Sequence, residues 1–132
     1  MRLFFYGVLQ RDVASPAILR LLHGLGESEP ATTRGRLMAV PDPAGFYPVL
    51  LPGDGMVRGT ICDAGSVDLA ALDRFEGLEY RRTAVAVFPR AGGEVQAQAY
   101  LYQFPARADF LPVTHGDFAR WLRETGNAPL AG

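Results

Sequence analysis

The chain has 132 residues with 13 basic and 14 acidic side chains, a formal charge of −1, and every basic residue is an arginine. Without lysine, neither a P-loop nor a Schiff base, including a pyridoxal phosphate anchor, can be built, and arginines scattered from Arg2 to Arg123 among acids give no basic stripe for nucleic acid. A composition 48% hydrophobic and 20% charged is that of a folded protein, and the length fits one domain over residues 1–132.

Taken in chain order, Leu3, Phe4, Phe5 and Tyr6 predict a short buried strand, with Gly7 freeing the backbone to turn at its end. The apolar run is too short for a signal peptide, no stretch approaches the ~20 apolar residues of a membrane span, and a soluble cytoplasmic protein is expected. Ser15 followed by Pro16 marks a helix start; Ile18, Leu19 and Leu22 form its apolar stripe and Gly24 closes it. Short strands are then predicted over 35–40, 48–51 and 57–62, separated by turns at 41–45 and 52–55. A second helix over about 67–75 takes Ser66 as its cap, buries Leu69, Leu72 and Phe75, and ends before Gly77. Strands over 80–89 and 94–104 flank the glycine-containing loop 90–93 as a hairpin. Thr114, with Asp117 three residues on, opens a last helix that buries Phe118, Trp121 and Leu122 and exposes Arg120 and Arg123. This order is not a regular βαβ alternation, and the fold class expected is α+β with a curved, mainly antiparallel or mixed sheet.

Metal and disulfide chemistry are excluded: Cys62 is the sole cysteine and sits in an apolar strand as inert core, while His23 and His115 are far apart. His23 reads as a local partner of a helix C-terminus and His115 as solvated. Two segments remain. In Tyr6, Gly7, Val8 and Leu9, successive backbone N–H groups after a glycine either cradle a carboxylate or carbonyl oxygen, or simply end a strand in a turn. In the segment from Leu72 to Arg82, Glu76 stands at a helix C-terminus, where the macrodipole disfavours negative charge, between Phe75 and Leu78. Desolvated there, its pKa rises and it suits general acid/base work; the alternative is a solvated helix-end carboxylate. Asp73 and Glu79 are the competing acids, expected exposed or paired with arginines. Tyr80 and Arg82 alternate to one face of the following strand, where they line a cavity or form a structural edge; Tyr100 and Tyr102 share a face that favours core packing.

The residues 6–9 near the start, Leu72-Asp73-Arg74-Phe75-Glu76-Gly77 some seventy residues later, and Tyr80-Arg81-Arg82 leading into a strand resemble the gamma-glutamylcyclotransferase-like family, in particular its gamma-glutamylamine cyclotransferase branch. Tyr100-Leu101-Tyr102 and the segment from His115 to Trp121 are similar to that family's last strand and closing helix, so the likeness covers nearly the whole chain. It implies a small barrel of mixed strands flanked by helices, a γ-glutamyl substrate held by Tyr6, Gly7, Val8 and Leu9, Glu76 as the catalytic acid/base, and 5-oxoproline with a free amine as products. Cyclisation uses the substrate's own α-amine as nucleophile, so no cofactor and no metal is expected. Val8 departs from the family's usual serine or threonine, which puts the choice of substrate in doubt and leaves a second reading open, a non-catalytic module binding a small ligand or a protein partner. Which amine is released and the oligomeric state are not expressed in the sequence.

Overall fold

The computed structural model of the protein describes residues 1–130. Its elements in order are β1 (Arg2–Phe5), α1 (Pro16–Leu21), β2 (Ser28–Asp42), β3 (Gly45–Asp63), α2 (Leu69–Glu76), β4 (Tyr80–Pro89), β5 (Val95–Tyr102), β6 (Leu111–Pro112) and α3 (Phe118–Thr125). The strands run β3-β1-β5-β4-β2, and β2 pairs back onto β3, so five strands close into a barrel with β6 added outside on β2. β1 lies parallel to β5 and antiparallel to β3; the remaining pairings are antiparallel. The class is α+β, a mixed barrel with three helices.

β1 is the apolar axis of the molecule. Leu3 and Phe4 are fully enclosed and Phe5 nearly so, each contributing roughly 1.5–3 kcal/mol through burial. The short strands expected over 35–40, 48–51 and 57–62 are parts of one long hairpin, β2 and β3. Arg34 pairs with Met56 and Arg36 with Leu51, so Gly35 alone stands opposite residues 52–55. The Pro-Gly-Asp-Gly sequence there is a bulge that bends the hairpin into the barrel, not the turn its composition suggests.

The helices hold the sequence-predicted faces with shifted ends. Ser15 caps α1 and accepts from the amide of Ile18. Ile18 and Leu22 are buried, but Leu19 faces outward at 44% exposure because only the four-residue spacing reaches the core. Asp68, not Ser66, caps α2 through the amide of Ala71 at 3.0 Å. Asp117, not Thr114, caps α3 through the amide of Arg120 at 3.1 Å. Phe118 and Trp121 are buried, with the indole against Phe46 at 5.1 Å between ring centroids. The segment after α3 then runs beside β3, where Phe46 donates to the Ala128 carbonyl and Leu130 donates to that of Phe46. No helix of the described residues is long and apolar enough to cross a membrane.

Candidate active site

At one end of the barrel, β1, the loop that follows it, the C-terminal end of α2 and the start of β4 surround a cavity of about 390 Å³, within the range of small-molecule sites. Tyr6, Gly7, Val8 and Leu9 form one wall, and Phe75, Glu76 and Tyr80 another. Tyr47, Pro48, Asp42, Glu79, Tyr100 and Leu130 complete it.

Gly7 is required by contact. Its φ is not in the left-handed region; instead, a Cβ there would lie 2.2 Å from Cγ of Pro48. Val8 and Leu9 are buried, 6% and 3% exposed, and being apolar they leave the backbone as the hydrogen-bonding part these two residues offer a ligand. The loop's first turn is closed by Gln10, whose amide donates to the Gly7 carbonyl at 2.9 Å. The amides of Gly7, Val8 and Leu9 donate to no acceptor among the described residues.

Glu76 is the last residue of α2. Gly77 ends the helix at φ +85°, a conformation L side chains rarely adopt, and its amide still donates to the Asp73 carbonyl at 3.1 Å. The helix therefore stops with Glu76 directed to the cavity. Its carboxyl has no hydrogen-bond donor among the described residues, and burial pushes its pKa up to about 8. An acid with that value exchanges protons near neutrality.

Three phenols surround this carboxyl. Tyr6 donates to the Tyr100 carbonyl, Tyr80 to the Pro48 carbonyl at 3.1 Å, and Tyr100 to Oδ1 of Asp73 at 2.6 Å. Burial first, and then neighbouring negative charge, raises all three well above the ordinary phenol value. Arg82 lies outside the cavity. Its Nε and Nη2 meet the two oxygens of Asp73 at 3.0 and 3.3 Å, and Nη1 meets Gln98 at 2.7 Å. That pairing holds Asp73 below the usual carboxylate range.

Of the sequence-derived site residues, the structure thus brings together Tyr6, Gly7, Val8, Leu9, Glu76 and Tyr80, and sets Arg82 behind the wall as a partner of Asp73. Tyr47, Asp42 and Leu130 escape sequence reasoning because they come from the β2–β3 turn region and the segment after α3, without a local motif. Tyr100 escapes because strand alternation cannot separate a core aromatic from a wall aromatic. Glu79 is exposed and within 3.4 Å of the Tyr102 hydroxyl. His115 is bonded to Glu124 at 3.0 Å rather than left to solvent. Cys62 is buried in β3. No group of three or more potential metal ligands converges among the described residues.

The sequence matches, over residues 3–120, the model of the family described as Gamma-glutamyl cyclotransferase, AIG2-like. The chain belongs to this family. Among solved structures it is similar to an AIG2-like protein from Mus musculus, at 28% identity and a TM-score of 0.68 over 89% of this chain and 86% of that one. It is also similar to YkqA from Bacillus subtilis, at 24% identity and a TM-score of 0.71, over 95% of this chain but only 42% of the other's length. A protein described as gamma-glutamyl cyclotransferase shares 18% identity and a TM-score of 0.62 over 85% of this chain and 69% of that one. Among curated proteins no sequence matches. The AIG2-like membership and the closed barrel agree with one another.

Proposed function

We propose that the protein cyclises the γ-glutamyl group of a γ-glutamyl amine or peptide to 5-oxoproline and releases the amine. The observation that carries this reading is an unpartnered, raised-pKa carboxyl, Glu76, sharing a small cavity with the unpaired amides of Gly7, Val8 and Leu9. The substrate supplies both nucleophile and electrophile, so the protein has to fold it, move protons and stabilise the oxyanion. Two protons must travel from the attacking to the leaving nitrogen. Glu76, ionised, takes one from the α-ammonium; the freed amine attacks the γ-carbonyl carbon, and the resulting oxyanion is stabilised by the loop amides. As the bond to the leaving nitrogen breaks, the Glu76 carboxyl hands its proton on, then carries the second from the new ring nitrogen. The amine departs as an ammonium ion and the ring closes as a neutral lactam.

Backbone recognition explains how valine can stand at position 8: its side chain is core, and its N–H is what the loop contributes. A panel of γ-glutamyl amines and dipeptides assayed for 5-oxoproline tests the proposal, with Val8→Ser run alongside. Release from at least one member, with the serine variant changed in stability more than in turnover, is expected. No 5-oxoproline from any member would overturn the reading.

A further inference from the structure

The hydroxyl protons around Glu76 are already spent inside the protein. Tyr6 gives its proton to the Tyr100 carbonyl and its oxygen takes the Leu50 amide; Tyr80 gives its proton to Pro48, and Tyr100 to Asp73. A phenol that donates its single proton inward can only accept from a ligand. Asp73 is itself locked as an acceptor by both guanidinium bonds from Arg82, so it has no proton to return to Tyr100. Tyr100 lies between the two environments, lining the cavity and also the shallow groove that contains Asp73 and Arg82. With Glu76 ionised, Tyr6, Tyr80 and Tyr100 present only acceptors beside it, and the backbone donors are the amides of residues 7–9; Tyr47, which also lines the cavity, accepts from Arg107 and keeps its own hydroxyl proton. No arginine among the described residues lines the cavity.

Resting on the reading that the cavity takes a γ-glutamyl group, we propose that Tyr100, held as an acceptor by Asp73 and Arg82, binds the substrate's α-ammonium beside Glu76, and that Asp73 is a positioning residue acting through it. The α-carboxylate and the reacting carbonyl are thereby directed away from the three acceptor phenols, to the loop amides and the Tyr47 hydroxyl. This fixes which nitrogen faces the proton acceptor, and it assigns Arg82 a supporting position behind Tyr100, bonded to Asp73 and reaching the phenol oxygen itself.

The test compares two probes that differ only in the ammonium, L-glutamate and glutarate, titrated into the whole protein and followed by amide chemical shifts. In the natural protein L-glutamate binds at least tenfold tighter. Tyr100→Phe lowers that ratio fivefold or more, chiefly by weakening L-glutamate. Asp73→Asn, which keeps an acceptor for the phenol, stays within about twofold of the natural ratio. Asp73→Leu frees the phenol's proton and shifts the ratio toward glutarate. A ratio unchanged in Tyr100→Phe overturns the assignment even if Asp73→Leu fails to fold. Failure is distinguishable from failure of the reaction: 5-oxoproline release with an unmoved ratio contradicts only the ammonium site, whereas the expected ratios without 5-oxoproline from any γ-glutamyl amide contradict only the chemistry.

Discussion

Glu76 carries two consequences that pull against each other. Its carboxyl titrates at about 8 in the folded protein and at about 4.3 in an unfolded chain. The folded state therefore binds the proton more tightly, and the associated stability is full below the unfolded value, falls as pH rises through that interval, and is gone above about 8. The ionised form that the proposed proton uptake requires is the form that destabilises the fold, by on the order of a few kcal/mol. Glu76→Gln is thus expected to raise the melting temperature at pH 8 and to flatten its fall between pH 5 and 8, which thermal melts across that range will check. Gly7 makes the opposite case. Gly7→Ala drives a methyl into the Pro48 ring, whose carbonyl holds the Tyr80 hydroxyl; overpacking of this kind costs about 1–3 kcal/mol. Denaturant unfolding will show that loss, with 5-oxoproline release reduced in the fraction that remains folded. The acid was readable from sequence because a negative charge at a helix C-terminus conflicts with the macrodipole. The reason for the glycine was not, because Pro48 is brought to it only by the folded barrel.

At the scale of elements, α2 aims the site. Its start is set by Asp68 and its stop by Gly77, and neither touches the cavity. Asp68→Ala removes the acceptor for the Ala71 amide and should cost about 1 kcal/mol by denaturant unfolding with little change in activity. Gly77→Ala meets no atom within 4 Å, so its cost comes from the backbone conformation alone, φ +85° with ψ −177°, roughly 1–3 kcal/mol. Relief of that strain moves the end of the helix, so turnover falls more than for Asp68→Ala, a difference that steady-state kinetics of the pair will show. Element types were largely legible: β1, α1 and the β4–β5 hairpin follow from aromatic clustering, a Ser-Pro start and glycine-flanked alternation. The caps of α2 and α3 were misplaced because serine and threonine compete with nearby aspartates for the same role, and only folded geometry selects between them. The long β2–β3 hairpin was read as fragments because a bulge and a turn use the same residues.

At the scale of the molecule, closure of the barrel brings the site together: the loop after β1, the end of α2, Tyr80 and Tyr100 meet although they are spread over more than ninety residues of chain. Residues 6–9, Glu76 and, by strand alternation, Tyr80 were visible before folding; the remainder of the wall depends on long-range pairing such as that of Tyr80 with Tyr102, which sets β4 beside β5. α3 and the following segment brace β3 through the contact of Trp121 with Phe46. Trp121→Ala should cost about 3–5 kcal/mol. If one carboxyl carries the protons in the proposed γ-glutamyl cyclisation, the pH dependence of kcat/KM for 5-oxoproline release reports its ionisation. For the natural protein kcat/KM is expected to rise through about 8 as Glu76 ionises. A folded Glu76→Gln is expected to show a rate lower by at least ~10²-fold with that rise absent; turnover within a few-fold of the natural protein, with the same pH dependence, would rule out Glu76 as the proton carrier.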